Sequence, residues 1–237
     1  MTSLAEICGH TFYLPALGMD SIVIDLGAST AAFSHGVQAL SGCRCHCVEA
    51  AKRNFQAIKE TDHVRKHFAA MGGVDASVTL NIVDDEFHWG SLEAPPGFDV
   101  TERQEVPGRT LAGLFAELDV EVVDLLKVDI EGAEIALIDA ADDATLRRCR
   151  QMTIEFHDFM DPGQTVNVKR QLDRFDRLGF DYVVMARRHH GDVLVVNRDA
   201  LGLSAAKLFY YRTALKYGLG LRRILKRGFG RKDGRVK

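Results

Sequence analysis

The sequence predicts an α/β protein built around an open, mostly parallel β-sheet. Short apolar runs alternate five times with stretches of helical spacing, the pattern of strand–helix repeats in a parallel sheet. Two further β runs are separated by the turn sequence RHHG, which predicts an antiparallel hairpin. Together these observations predict seven strands, the last of them antiparallel. The chain has 237 residues, 46% apolar and 27% charged, an ordinary balance for one folded core.

Each predicted strand is a short, mostly apolar run. The runs read, in order, SIVIDLG, CRCHCVE, SVTLNIV, VVDLLKVDI and QMTIEFH. They cover residues 21–27, 43–49, 77–83, 122–130 and 151–157, and the hairpin strands cover 181–187 and 192–197.

The predicted helices follow the strands, with polar residues on their outer faces. They cover residues 31–40, 51–66, 110–118, 133–141 and 163–178. Thr110 is a suitable N-cap, and Gly179 ends the last helix. Residues 84–108 contain three prolines and predict a long loop, with room for a hairpin, that could act as a lid.

Charge separates an acidic body from a basic terminus. Residues 212–237 hold ten Lys or Arg and one acid, whereas the rest of the chain holds 20 basic and 32 acidic side chains. We expect an extension at 1–20, the α/β domain at 21–198, and a basic helix and tail at 199–237. The tail fits a helix packed on the body, peripheral contact with anionic lipid at the inner membrane face, or nucleic-acid binding.

Five cysteines, three of them within five residues, argue against a disulfide framework and for a cytoplasmic location. Cys43, Cys45 and Cys47 share one strand face and His46 takes the other, so we interpret them as a buried face and not as a zinc site. The hairpin-turn residues His189 and His190 are expected to be solvated. No run of 18 apolar residues is present, so no transmembrane helix is expected.

Small residues follow the first predicted strand, and an acid ends the second. Asp25, Gly27, Ala28 and Ser29 make a strand–turn–helix connection, where the backbone can approach a ligand closely. Glu49 is placed to accept hydrogen bonds from a ribose diol. This arrangement suits nucleosides in general, although the missing G-x-G-x-x-G pattern disfavours NAD. A tight turn without a ligand is the alternative.

The string KVDIEGAE is the segment richest in acids. Asp129 and Glu131 share a strand face, and Glu155 and His157 do the same on the next predicted strand. Two roles fit this group: general base catalysis by Asp129, Glu131 and His157, or binding of Mg²⁺, Mn²⁺ or another divalent metal by these three and Glu134. The structural alternative is that these side chains only cap a turn and anchor loops.

The sequence resembles the FkbM-type methyltransferases, a branch of the class I methyltransferases that use S-adenosylmethionine (SAM). The resemblance covers about residues 20–198 and is carried by SIVIDLGASTAAFS, CHCVEAAKRNF, GRTLAGLF, DLLKVDIEGAEIALIDAA and TIEFHD. It implies a Rossmann-like fold with seven strands. It also implies methyl transfer to a hydroxyl of a sugar, a glycan, or a glycosylated or secondary metabolite.

The resemblance further implies roles for particular residues. SAM would be lined by Asp25, Gly27, Ala28, Ser29, Glu49, Val83, Asp84 and Asp129, with Glu49 on the ribose and Val83 and Asp84 beside the adenine. The family usually has Asn and Gly where this chain has Ser29 and Ala31, so weaker SAM binding is expected. The spacing of Glu131 and Glu134, with a histidine on the next strand, is similar to the metal site of small-RNA 2′-O-methyltransferases.

Other functions remain open at this point. The altered first turn fits a non-catalytic domain that binds a glycan or a partner protein. An NAD-dependent oxidoreductase is disfavoured by the missing glycine, and an RNA ribose methyltransferase by the acidic body. Because the tail is basic and partly apolar, we expect a lipid-linked glycan acceptor; a homo-oligomer is left open.

Overall fold

The computed structural model describes residues 3–83, 90–92, 99–186, 189–211 and 213. The strands are β1 Leu4–Ile7, β2 His10–Tyr13, β3 Ile22–Leu26, β4 Arg44–Glu49, β5 Val64–Phe68, β6 Ala70–Met71, β7 Ser77–Ile82, β8 Gly90–Ser91, β9 Glu102–Arg109, β10 Leu125–Val128, β11 Gln151–Ile154, β12 Phe180–Val184 and β13 Val193–Asn197. The helices are α1 Ala32–Ser41, α2 Lys52–Ala57, α3 Leu111–Glu117, α4 Glu134–Ala140, α5 Asp143–Arg147, α6 Thr165–Arg177 and α7 Ala205–Tyr210.

The chain forms two compact units, Met1–Leu201 and Gly202–Lys237. The first unit holds every strand and the helices α1 to α6. The second holds α7, which begins after Ser204, whose hydroxyl accepts a hydrogen bond from the backbone N–H of Lys207. Among the described residues, no helix is both long enough and apolar enough to cross a bilayer.

A seven-stranded sheet forms the centre of the first unit, in the order β12-β13-β11-β10-β3-β4-β5. Strand β13 is antiparallel to both of its neighbours, and the remaining pairings are parallel. The predicted sheet with an antiparallel final strand is therefore confirmed. Apolar side chains cover both faces: Leu114 and Phe115 belong to the core cluster on one face, and Phe12 and Phe33 to the cluster on the other.

The third strand of this sheet differs from the prediction. Strand β5 lies within and just beyond the predicted helix 51–66, and the predicted strand 77–83 belongs to a separate sheet. β5 is an edge strand that pairs only with β4, so its sequence VRKHF carries charges that resemble the outer face of a helix. Lys66, one of these charged residues, packs over the ring of Phe55 and donates to two backbone carbonyls of the preceding helix end.

A smaller sheet has the order β6-β9-β7-β8. Strand β9 occupies the second part of the predicted loop 84–108, which corrects that prediction for residues 102–108. Residues 84–89 and 93–98, including Asp84, lie outside the described residues, so the predicted lid stays a prediction. Val83 follows β7 of this smaller sheet. The prediction that Val83 follows the third strand of the large sheet is therefore wrong.

The predicted N-terminal extension contains a β-hairpin that belongs to the core. Cys8 and Gly9 form its turn, both with positive φ, which allows β1 and β2 to pair directly. Strand β2 is buried, and Thr11 binds the Asp192 carboxylate through its backbone N–H and its hydroxyl. The backbone N–H of Tyr13 donates to the side chain of Gln151. The hairpin is thereby held against the large sheet.

Candidate active site

A cavity of about 660 Å³ opens at the carboxyl ends of the central strands, where parallel α/β sheets bind their ligands. Its walls come from the turn after β3, the end of β4, the segment after β5, and the loops after β10 and β11. The lining residues used below are Gly27, Ser29, Glu49, Ala70, Met71, Asp129, Glu131, Glu155 and His157.

The turn after β3 approaches the end of β10 very closely. At Gly27, where φ is +73°, an added Cβ would overlap the backbone carbonyl of Asp129, so only glycine fits. Ser29 and Ala31 also have positive φ, at 49° and 63°. Asn and Gly, which the resemblance leads us to expect at these two positions, are the residues that tolerate the left-handed region best.

Glu49 points from the end of β4 toward this turn. One carboxylate oxygen accepts the backbone N–H of Ser29 at 2.7 Å, and the other accepts that of Ala51 at 2.8 Å. Burial raises the pKa of Glu49 to about 7, against the lowering effect of these two hydrogen bonds. The carboxylate is therefore fixed in place and lines the cavity. Both properties are required of a side chain that binds a ribose.

Asp25 lies beneath the turn and does not line the cavity. It is fully buried, accepts a hydrogen bond from Ser34, and lies 3.1 Å from the ammonium group of Lys127. Lys127 in turn donates to the carbonyl of Gly27 at 2.8 Å. Burial acts to lower the pKa of Lys127, but Asp25 and Asp129 outweigh it and raise that pKa. Asp25 thus supports the turn through Lys127, and the buried Ala28 also lies outside the lining.

Asp129, Glu131 and His157 meet at one wall of the cavity, as their sequence positions predicted. Nε2 of His157 lies 3.2 Å from a Glu131 oxygen and 3.8 Å from Oδ1 of Asp129. One ligand atom from each of the three residues lies within 4.8 Å of the others, which is close enough to consider a shared cation. Burial acts to raise the pKa of Asp129, but Lys127 and His10 outweigh it and hold that pKa far below its usual value.

Glu134 lies behind this wall, so its predicted place among the metal ligands is corrected. Its side chain is buried, and Oε1 accepts the backbone N–H groups of Ile130 and Gly132, both at 3.1 Å. The same oxygen lies 2.9 Å from Nδ1 of His157. Burial acts to lower the pKa of His157, but the hydrogen bonds with Glu131 and Glu134 outweigh it and raise that pKa to about 11.

Two residues join the site that were not among the predicted site residues. His10 of β2 is buried, and its Nε2 lies 3.3 Å from Oδ2 of Asp129 and 3.9 Å from Glu155. Burial, followed by the charge of Asp129, raises the pKa of Glu155. The spacing of Glu155 and His157 placed Glu155 on this face. The signal for His10 was the glycine between two short β runs, which indicates a hairpin but not where the hairpin packs.

The remaining predicted features lie outside the cavity. Cys43, Cys45 and Cys47 form a buried strand face, as predicted. His189 is exposed, but His190 is not solvated as expected, because its Nδ1 lies 2.6 Å from the Asp158 carboxylate. This pair links the hairpin turn to the loop after β11.

The fold and the site define the chain as a Rossmann-like class I methyltransferase domain. When the seven strands of the large sheet are numbered 1 to 7 along the chain, from β3 to β13, their order across the sheet is 6-7-5-4-1-2-3. The seventh strand is antiparallel to its neighbours, and the turn that holds Gly27 and Ser29 follows the first. The methyltransferase FkbM domain matches residues 25–182, and the chain belongs to this family of SAM-dependent enzymes.

More distant likenesses cover parts of known proteins. A stretch of 73 residues is 36% identical to the AMB antimetabolite synthetase AmbE of Pseudomonas aeruginosa; it makes up 31% of this chain and 3% of that protein. A solved methyltransferase FkbM from Methylobacillus flagellatus KT is similar with a TM-score of 0.49 and 14% identity, over 76% of this chain and 44% of that one. Fibrillarin of Aeropyrum pernix, with natively bound SAM, is similar with a TM-score of 0.43 and 14% identity, over 76% and 67%.

Proposed function

We propose that this chain transfers the methyl group of SAM to a hydroxyl of a sugar, a glycan, or a glycosylated or secondary metabolite. One observation carries the proposal: a single cavity holds both Glu49, a fixed carboxylate that could accept a hydrogen bond from a ribose, and the cluster of Asp129, Glu131 and His157. Family membership supports methyl transfer. The acid cluster supports a hydroxyl acceptor, because a hydroxyl must lose its proton as it is methylated.

SAM fits the half of the cavity between the ends of β3, β4 and β5. Each oxygen of Glu49 accepts one backbone N–H and keeps a lone pair for a ribose hydroxyl. Gly27 and Ser29 line the part of the wall suited to the methionine moiety. Ala70 and Met71, which follow β5, supply the apolar wall for the adenine in place of Val83 and Asp84.

The acceptor hydroxyl belongs beside the acid cluster. Its oxygen forms a bond to the methyl carbon while the carbon–sulfur bond breaks, the sulfur keeps the electron pair, and S-adenosylhomocysteine leaves. The hydroxyl proton passes to a carboxylate of the cluster. His157 keeps its own proton between Glu131 and Glu134, so it orients these acids. Glu155, whose pKa is raised by burial, is a better proton acceptor than Asp129. A positioned base contributes about 10²–10⁴-fold to the rate.

A divalent cation such as Mg²⁺ or Mn²⁺ is a second way to activate the hydroxyl. Asp129, Glu131 and His157 offer carboxylate and imidazole ligands on the cavity wall. Glu134 would orient the ring of His157 from behind, as carboxylates do for metal-bound histidines. A bound cation would supply Lewis acidity, lowering the pKa of a coordinated hydroxyl.

The basic terminus is assigned to the membrane surface. Residues 212 and 214–237 lie outside the described residues, so this assignment rests on their charge. We propose that they hold the enzyme at the cytoplasmic face of an anionic membrane, next to a lipid-linked glycan. Binding to anionic vesicles should weaken with salt and vanish when residues 212–237 are removed; equal binding by the shortened chain rules the assignment out.

The decisive experiment combines calorimetry with methyl transfer. The full chain is first titrated with SAM, and then incubated with methyl-labelled SAM and extracts of glycans and lipid-linked glycans. We expect heat of binding and label in a hydroxyl-bearing product. No heat at high micromolar SAM would favour the non-catalytic binder. Binding without transfer to any hydroxyl, but with label on a nitrogen, would refute the oxygen acceptor.

A further inference from the structure

Asp129 lies between two sets of potential metal ligands. On one side, Oδ2 faces Nε2 of His10 and the carboxylate of Glu155. On the other side, Oδ1 faces Nε2 of His157, which also contacts Glu131. Each side therefore offers the same three kinds of ligand: one imidazole, one glutamate that lies on that side alone, and one oxygen of Asp129.

The distances on both sides suit neighbouring ligands of one cation. Bonds of about 2.1 Å at right angles bring two ligand atoms about 3 Å apart, and opposite ligands about 4.2 Å apart. On the first side, Nε2 of His10 lies 3.3 Å from Asp129 and 3.9 Å from Glu155. On the second side, Nε2 of His157 lies 3.2 Å from Glu131 and 3.8 Å from Asp129. A carboxylate bridge of this kind places two cations about 3.5–4 Å apart.

The histidine on the first side has no other polar contact to explain its position. His10 is 1% exposed, and its Nδ1 has no hydrogen-bond partner within the described part of the chain. Its Nε2 is directed at two carboxylates from two different loops. The N-terminal hairpin thus delivers a buried imidazole to the acid cluster, and this observation is independent of the cluster itself.

Charge favours two divalent ions at this place. The ammonium group of Lys127 lies 3.1 Å from the buried Asp25 and 3.4 Å from Oδ2 of Asp129, so these two carboxylates share its one positive charge. The cluster then has four carboxylates: Asp129, Glu131, Glu134 and Glu155. Lys127 and the two histidines supply at most three positive charges against these four carboxylates and Asp25. Two divalent cations that displace the protons from Nε2 of both histidines would, together with Lys127, balance all five carboxylates.

We infer that Asp129 bridges two divalent cations, one held with His10 and Glu155 and the other with His157 and Glu131. The inference rests on the proposed methyl-transfer site and narrows its substrate. Two cations this close bind two neighbouring oxygens, so the acceptor is a vicinal diol, as in a sugar ring. One of these oxygens is methylated, and the other binds its cation and so orients the substrate.

Manganese titration of the full, chelator-treated chain tests the inference, because paired Mn²⁺ ions couple magnetically. Calorimetry should give two Mn²⁺ per chain, and low-temperature electron paramagnetic resonance should show a spin-coupled pair. His10→Gln and Glu131→Gln should each leave one Mn²⁺ with the spectrum of an isolated ion, and Asp129→Asn should abolish the coupled signal. Glu121→Gln, an exposed acid before β10 at the opposite end of the sheet, should keep two.

The variants separate a ligand role from a structural one. The amide of His10→Gln can still donate to Asp129, so a merely structural histidine would leave the manganese count at two. Thermal unfolding verifies that the hairpin remains packed. Fewer than two Mn²⁺ in the unmodified chain, or two in His10→Gln, overturns the inference. SAM calorimetry on the same samples distinguishes failure of this inference from failure of the proposed function. SAM binding without paired manganese overturns only this inference. Paired manganese without SAM binding overturns the proposed function.

Discussion

The contribution of Glu49 to the stability of the fold should be smaller at neutral pH than at acid pH. Its pKa is raised from 4.5 to about 7, chiefly by burial. Between these values the unfolded chain has released the proton and the folded chain still holds it, so stability falls as the pH rises. Each pH unit costs about 1.4 kcal/mol, which gives about 3 kcal/mol over the interval. This contribution is fully present below pH 4.5 and lost by about pH 7.

Glu49→Gln removes the titration and keeps the shape of the side chain, but its single oxygen can accept only one of the two backbone N–H groups. The variant therefore carries a loss of stability that does not depend on pH. In urea unfolding its free energy of unfolding relative to the wild type should rise by about 3 kcal/mol between pH 4.5 and pH 8. SAM should bind the variant roughly 10- to 100-fold more weakly, since hydrogen bonds to a charged acceptor contribute about 1.5–3 kcal/mol. A difference in stability between the two proteins that stays constant from pH 4.5 to pH 8 refutes the reasoning.

Three further predictions concern the turn, the cluster and the hairpin. Gly27→Ala should destabilise the fold by about 3 kcal/mol or more in thermal unfolding, because the new Cβ overlaps a carbonyl; Gly18→Ala, with open space around it, should change little. His157→Gln should lower turnover about 10²-fold while calorimetry shows SAM affinity within about twofold. Thr11→Val should cost about 1–3 kcal/mol in urea unfolding, because the buried Asp192 loses a donor; unchanged stability would show that water replaces it.

The central sheet could be predicted because its strands are buried on both faces. Strands β3, β10 and β11 are fully or almost fully buried, and their apolar runs leave little choice of structure. The edge strand β5 has one pairing partner and a charged sequence, so local pattern could not separate it from a helix. Because β5 was predicted to be helical, the third strand was assigned to residues 77–83. The predicted adenine contact was therefore assigned to Val83.

The site was predictable where its residues directly follow strands of the large sheet. Glu49, Asp129 and His157 meet at the sheet edge because parallel strands end together there. His10 could not be placed in this way. It lies 119 positions from Asp129, and its contact depends on how the hairpin packs against the sheet. Glu134 was correctly placed in the first turn of its helix, but its carboxylate turns back to the loop it caps.

Asp129 connects the turn after β3, where we propose that SAM binds, to the acid cluster, where we propose that the acceptor binds. Its backbone N–H donates to Leu26 at the end of β3, and its carbonyl fills the space that only a glycine at position 27 leaves open. Its side chain meets Lys127, which binds the same turn, and the two histidines of the cluster. In the proposed arrangement, one residue therefore positions both the methyl donor and the acid cluster. A change in the turn that shifts this backbone must shift the carboxylate as well, so turn variants should lose methyl transfer more steeply than they lose SAM binding.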